Sequence, residues 1–439
     1  MRRAVGGKMK DALVIGGGVA GIQAALDLAE RGIHVYMVEK EPSIGGRMAL
    51  LDKTMSTNDC SICILAPKMN ECFSHPNIDI LEYSEVVSID GKEGNFKVKV
   101  KRKAKYVDAS KCTGCGDCME KCPTEVPNKF NSYLDKRRAI YLPFPQSVPR
   151  KATIDAEYCL KIKKNRCGLC QKICKAEAIN YDDKDKIVEL EVGAIIVAIG
   201  LSLYEPNDMK EYGYGIYDNV HTWMEYERLI NAAGPTHGHL HCSPDGRRPR
   251  KIAFIQCVGS RDVKRCQWCS SLCCMVSIKS AMLAYEHYGD IESYIFYSDL
   301  RIFSKRFYEY SKRGEKDYNI KYIHGRPGEI VEDKKTKNLI IYYDDEKEGK
   351  VKKLEVEMVI LATPIMPAEG TKKLASILGI ETDEYGFIKA KDYLTNPVET
   401  SKPGIFVAGC CERPKDITES VIQASAAAAK VVEIIAEVV

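Results

Sequence analysis

Short apolar runs alternate with amphipathic stretches along most of this chain. Asp11–Ile15 reads as a buried strand, the small-residue segment Ile22–Glu30 as a helix, and His34–Val38 as a second strand ending at Glu39. Two more apolar runs end in small residues, Ala194–Gly200 (AIIVAIG) and Met358–Thr363 (MVILAT). Between them, Lys251–Cys257 and Ile291–Tyr297 are strand-like and flank a helix over Ser271–His287, where apolar positions recur at helical spacing. Gly404–Gly409 predicts a last strand, and a helix is expected from Thr418. Strands alternating with helices predict parallel sheets in an α/β fold. With 439 residues, the length suggests about three domains.

Residues 106–182 break this rhythm with a run of cysteines. Cys112, Cys115 and Cys118 are spaced by two residues, and Cys122 follows before a proline. That is the ligand pattern of a [4Fe–4S] cluster in a bacterial-type ferredoxin: one tight loop holds three corners of a cubane and the fourth thiolate reaches a second cluster. Cys159, Cys167, Cys170 and Cys174 form a second set, its first gap stretched by the basic loop Leu160–Arg166. We therefore pair Cys112, Cys115 and Cys118 with Cys174, and Cys159, Cys167 and Cys170 with Cys122. Zinc is the alternative for any such group, but two interleaved sets of four fit cubanes better.

The first strand runs into Gly16-Gly-Gly18-Val-Ala-Gly21, and Glu39 ends the second strand about twenty residues on. Strand, glycines, helix and acid together make a dinucleotide fingerprint. Gly16 makes the turn, Gly18 lets the backbone approach a pyrophosphate at the helix N-terminus, Gly21 lets helix and strand pack closely, and Glu39 accepts from a ribose hydroxyl. The next loop, Lys40 to Arg47, carries the pair Gly45-Gly46. It resembles the loop of two-dinucleotide-domain flavoproteins that runs along the phosphoribityl chain of FAD. The runs ending at Gly200 and Thr363 resemble the ATG motif of that superfamily. Where the superfamily has Gly-Asp after its last strand, this chain has Gly409-Cys410. The helix beyond, with Gln423, Ala424 and Ser425, should point its positive end at the flavin.

In the middle third the turn after the first strand should again carry glycines. It reads instead from Cys257 through Cys266, Cys269, Cys273 and Cys274. We expect Cys257, Cys269, Cys273 and Cys274 to hold a third cluster where nucleotide phosphates would lie, with Cys266 a spare or substitute. Buried structural cysteines are the alternative.

The phrases SIGGRMALLDKTMSTNDCSICILAPKM, FIQCVGSRD, CSSLCCMVSIKSAM and AGCCERPKDITESVIQASAAAA resemble the flavin-bearing iron–sulfur subunit of heterodisulfide reductase, from about Met9 onward. The resemblance implies a thioredoxin-reductase-like flavoprotein with an inserted two-cluster ferredoxin domain. It implies FAD, and a cluster held by Cys257, Cys269, Cys273 and Cys274. Lys279 matches a lysine near the flavin, and Glu227 matches a carboxylate of the same site. The expected domains are a flavin domain in three parts (9–105, 183–215 and 366–439), the insert (106–182) and a pseudo-nucleotide domain (216–365). Longer family members add an N-terminal cluster domain and a C-terminal ferredoxin domain, so this chain reads as a short form. The implied partners are other subunits of a heterodisulfide-reductase-like complex, hydrogenase or formate dehydrogenase subunits, and ferredoxin, with a homodimer inside the larger assembly. The implied activity is electron transfer, with electron bifurcation at the flavin. An NADPH-dependent iron–sulfur flavoprotein is the competing enzyme class, and a wiring scaffold without turnover of its own is a third.

The net charge of +4 is small for this length and argues against nucleic acid. Nineteen cysteines without a signal peptide read as metal ligands in a reducing cytoplasm. No apolar run reaches the length of a membrane span, and the C-terminal helix is broken by Lys430, Glu433 and Glu437. Cys60 and Cys63, with Cys72 near, fit a redox disulfide, cluster ligands completed by Cys410, Cys411 or a partner, or structure. Cys242 reads as incidental. His237, His239 and His241 read as polar surface rather than a metal site. Lys97–Lys105 reads as a solvated strand face that could dock an acidic partner, and Asp344–Lys353 as a charged hairpin turn.

Overall fold

The computed structural model describes residues 10–346 and 348–437. The expected domain start at Met9 lies outside them. The chain divides into two compact units. Of the described residues, one comprises those in 10–49, 62–201 and 367–437, and the other those in 50–61, 202–346 and 348–366.

The first unit is built on a five-stranded parallel sheet. Its spatial order is Ile405–Val407, Ala194–Val197, Ala12–Ile15, Val35–Glu39 and Ile78–Glu82. Ala12–Ile15 is buried at every position, as a central parallel strand must be. On one face lie the helices Val19–Ala29 and Ile417–Glu437, joined through Ala24, Ala25, Leu28, Ala424, Ala427 and Ala428. On the other face Leu13, Ile15, Ile195 and Val197 meet Phe96, Val98, Val100 and Leu190. Those last residues belong to an antiparallel sheet of Ser84–Lys92, Asn95–Arg102 and Lys186–Val192. Its outer face carries Lys97, Lys99 and Lys101 opposite Glu191, Glu189 and Asp185.

The insert leaves this sheet after Arg102 and returns at Lys186. It consists of short helices and two-stranded ribbons around a small core of Val107, Ile140, Ile154, Ala178 and Ile179.

The second unit repeats the plan. Its parallel sheet runs Val220–Thr222, Met358–Leu361, Lys251–Ile255, Glu292–Tyr297 and Ile320–His324. The helix Cys273–Tyr288 buries Met275, Ile278, Met282 and Leu283 against Ile252, Phe254 and Ile295. An antiparallel sheet of Pro327–Glu332, Leu339–Asp345 and Lys350–Val356 covers the opposite face. The strand expected over 251–257 stops at Ile255, because Cys257 takes a left-handed conformation (φ +58°) and turns the chain away. Residues 50–61 and 202–215 go with this unit, beyond the 216–365 expected for it. Met209 and Tyr212 join its core, and the 50–61 backbone is bound by its side chains.

Candidate redox sites

In the first unit the glycine turn fits a dinucleotide. Gly16 has φ +110°, and a Cβ there would lie 2.3 Å from the Ala198 carbonyl oxygen. A Cβ on Gly21 would lie 1.8 Å from the Gly16 oxygen. At Gly18 a Cβ would meet only the Gly46 Cα, at 3.9 Å, so its space is open to a ligand. The helix beginning after Gly18 has no side-chain cap and no acid in its first turn. Its free N–H groups suit an anion. Glu39, 7% exposed, accepts from Gly17 N (2.7 Å) on Oε2 and from Glu41 N (2.8 Å) on Oε1. Burial pushes its pKa up against the pull of those two donors. Each oxygen keeps a lone pair for a ribose hydroxyl. Lys40 is exposed, and Arg47 is half-buried with its pKa lowered by desolvation against the pull of Glu41.

At the same C-terminal end of the sheet, Gly200 and Gly409 take left-handed conformations. Gly409 N donates to Gln423 Oε1 (2.8 Å), and Gln423 Nε2 donates to Pro397 O (2.9 Å). Both ends of that amide therefore bind protein. The Cys410 thiol donates to Lys415 O (3.2 Å), and burial raises its pKa. The helix Ile417–Glu437 does not present a bare positive end. Asp416 Oδ1 accepts from Glu419 N (2.7 Å) and Glu419 Oε2 from Asp416 N (3.0 Å), a reciprocal cap that places two acids there. Lys415, 4% exposed, pairs with Glu412 beside them.

The insert brings its eight cysteines close together around its small core. Burial, and after it the charges of Cys112, Cys170, Cys115 and Cys174, pushes the pKa of Cys118 up to about 12, so a thiol of each expected quartet lies near it. Cys122, Cys159, Cys167 and Cys170 line one hollow with Leu160, Leu169 and Tyr181. Tyr181 Oη lies 2.9 Å from Cys170 Sγ. Gly116 and Gly168 precede the helices that carry Cys118 and Cys170, both left-handed, and a Cβ on either would meet nothing within 4 Å. Thiols at separate corners around open space fit a cubane.

In the second unit the strand–helix connection is long, spanning residues 256–272, where the first unit needs only Gly16–Gly18. Cys273 is half-buried, and desolvation followed by Cys274, Cys257 and Cys269 raises the pKa of its thiol. Burial, with smaller contributions from Cys257 and Cys269, pushes Cys274 up to about 11. Burial raises the pKa of Cys257 against the pull of Arg326 and Arg261, which face it. Cys266 stands apart, its sulfur 3.3 Å from that of Met366. Among the described residues no three His, Cys, Asp or Glu converge tightly enough for a single ion.

Lys279 and Glu227 lie on adjacent helices of this unit and are 2% and 0% exposed. Lys279 Nζ donates to Glu227 Oε1 and to Lys53 O (3.3 Å). Asp52 N donates to Glu227 Oε2 (3.0 Å). Sequence reasoning missed Asp52. Its Oδ2 is buried without a hydrogen-bond partner, and its pKa is raised by desolvation and then by Glu227. It also missed Arg228, 1% exposed, which donates to Leu50 O (2.8 Å).

Cys60 and Cys63 are joined in a disulfide. Cys72 and Cys411 are buried thiols, each pushed up to about 12 by desolvation. His241 Nδ1 bonds Gly246 O (3.1 Å).

Residues 10–140 match the family described as pyridine nucleotide-disulphide oxidoreductase. Thioredoxin reductase from Lactococcus lactis covers 98% of this chain and 99% of its own, with 16% identity and a TM-score of 0.53. That from T. acidophilum covers 97% and 98%, with 15% identity and a TM-score of 0.51. The fold is that of thioredoxin reductase, with two dinucleotide-binding-type domains. At the level of sequence, a CoB–CoM heterodisulfide reductase iron–sulfur subunit of Methanopyrus kandleri is 53% identical over 95% of this chain and 63% of its own length. The corresponding subunit of the H(2):CoB-CoM heterodisulfide,ferredoxin reductase of Methanothermobacter thermautotrophicus is 47% identical over 95% and 63%. Over nearly its whole length the chain is similar to these heterodisulfide reductase iron–sulfur subunits, and it spans less than two thirds of the length of the curated relatives it matches.

Proposed function

We propose that the chain is an FAD- and [4Fe–4S]-containing electron-transfer component of a heterodisulfide-reductase-like complex. It relays electrons between a donor oxidoreductase, ferredoxin and a disulfide- or quinone-reducing module. The carrying observation is the convergence of thiols: Cys112, Cys170, Cys115 and Cys174 act on Cys118; Cys122, Cys159, Cys167 and Cys170 line one hollow; and Cys274, Cys257 and Cys269 act on Cys273 in the connection where a pyridine nucleotide would otherwise be cradled. When bound, FAD exchanges electrons in pairs or singly and the clusters pass them singly.

The chain's own residues bind and tune. Gly16, Gly18 and Gly21 with the first helix N-terminus take the pyrophosphate, and Glu39 takes a ribose diol. Lys40, Gly46 and Arg47, with Gly200, Gly409, Cys410 and Gln423, frame the rest of FAD. Cys112, Cys115, Cys118 and Cys174 hold one cluster, Cys122, Cys159, Cys167 and Cys170 a second, and Cys257, Cys269, Cys273 and Cys274 a third. Lys279 and Glu227 keep a fixed charge pair that sets the local field. The relatives' names, which couple heterodisulfide and ferredoxin reduction to hydrogen or formate, support bifurcation at the flavin and hydrogenase or formate dehydrogenase subunits as partners. A homodimer within a cytoplasmic assembly belongs to the same reading.

Iron and FAD content after anaerobic purification, with EPR of the reduced protein, tests it. About twelve irons per FAD is the expected result. About eight would remove the third cluster and reopen an NADPH route, which rapid bleaching of the flavin by NADPH would establish.

A further inference from the structure

The two basic stretches that stand out in the sequence have opposite fates. Every cation from Lys97 to Lys105 finds an acid, among them Lys97 with Glu191 (3.7 Å), Lys99 with Glu189 (3.2 Å) and Lys101 with Asp185 (2.7 Å). That strand face is neutralised from within. Glu157–Lys175 is different: it carries six cations and one acid. Among the described residues, Lys163, Lys164 and Arg166 make no ion pair, nor does Lys172, and all four are exposed. Lys161 turns back to Asn165 (2.7 Å) and lies over the Tyr181 ring.

The same segment exposes apolar surface. Leu160 and Leu169 line the hollow of Cys122, Cys159, Cys167 and Cys170, yet are 37% and 45% exposed. Cys167 is itself exposed. Two leucines beside a solvent-facing redox ligand, ringed by uncompensated cations, have the make-up of a transient interface with an apolar centre and a charged rim. A small insert would gain stability by pairing those charges, as the neighbouring strand does.

We propose that Leu160 and Leu169, ringed by Lys163, Lys164, Arg166 and Lys172, form the docking site for a small electron-carrier protein with an acidic face. The leucines give the partner a dry contact over the nearest thiol ligand. The cations steer it and set its orientation, which makes the association salt-dependent. The inference rests on the reading that this quartet holds a cluster.

The test is the binding of an oxidised acidic two-cluster ferredoxin, as probe, to the reconstituted full chain, measured by calorimetry. The variants are K163E/K164E/R166E, R166E/K172E and, as control, K334E/K335E on an exposed turn of the other unit. At roughly 20 mM ionic strength, Kd should rise about tenfold in the first two variants and stay unchanged in the control. The wild-type affinity should fall toward that of the variants at about 0.3 M salt. Equal Kd for wild type and both insert variants, with iron content unchanged, overturns the docking site alone. Absence of insert clusters from the wild-type iron count and EPR overturns the function proposed above, and this inference with it.

Discussion

Lys279 donates to Glu227 with both side chains almost wholly out of water, and Glu227 spends its other oxygen on the Asp52 backbone N–H. A buried pair of this kind is costly to break from one side, because the survivor is left charged and unpaired. Lys279→Met should lower unfolding stability by ~3–5 kcal/mol. Lys279→Met combined with Glu227→Gln should recover most of that loss. Denaturant midpoints over the four-membered cycle check it; additive losses would mean that the two groups are not coupled.

Asp52 makes the same region pH-dependent. Its folded pKa is raised, first by desolvation and then by Glu227. Between the ordinary carboxylate range and that raised value, the native state keeps a proton that the unfolded chain has lost. Stability therefore falls as pH climbs through this window and stays lower above it. Asp52→Asn should flatten the profile there. Glu227→Gln should narrow the window, by removing the second cause. Melting temperatures followed from pH 4 to 8 for the three proteins, roughly the span in which a raised carboxylate titrates, would settle the sign.

The glycine fingerprint is legible in the sequence because spacing alone constrains it. Gly21 can only be glycine when the Gly16 carbonyl lies against it. Residues 50–61 are not legible. LDKTMSTNDC has no apolar period, and its backbone is held by Glu227 and Arg228, some 175 residues on. The partnership of Asp52 with Glu227 is invisible for the same reason. The Asp416–Glu419 cap is another matter: an acid followed three residues later by glutamate, before an alanine-rich run, is a readable start signal. Reading that helix for its dipole alone overlooks the two acids that occupy its positive end.

Gly18 and Gly21 separate ligand from fold. Gly21→Ala forces a methyl against backbone and should destabilise the first unit by at least about 1–3 kcal/mol. Gly18→Ala enters open space, so the melting temperature of the FAD-free protein should hardly change while FAD occupancy falls. Flavin absorbance per chain beside the melting curve of each variant checks this. Full FAD occupancy in Gly18→Ala would move the pyrophosphate away from that turn.

Cys266 and Cys269 are three residues apart in sequence but differ in surroundings. Cys269 acts on Cys257, Cys273 and Cys274, whereas Cys266 meets Met366. Cys269→Ser should remove about four irons per chain, and Cys266→Ser should remove none. Loss of iron in both would make Cys266 a ligand after all.

Tyr181 offers a finer test of the insert. Its hydroxyl reaches Cys170 Sγ at 2.9 Å, and that sulfur belongs to the group around the hollow. A hydrogen bond donated to a ligand sulfur favours the reduced cluster, which carries the greater negative charge. Removing it with Tyr181→Phe should lower the potential of that cluster. A net hydrogen bond of about 1 kcal/mol corresponds to roughly 40 mV for one electron. Redox titration followed by EPR should therefore show one of the two insert signals shifted negative and the other in place. The second signal is an internal control, because the thiols that act on Tyr181 are Cys170, Cys159 and Cys167. A shift of both signals would mean that Tyr181 acts through the fold of the insert rather than through Cys170. No shift at all would mean that its hydroxyl turns elsewhere once iron is bound.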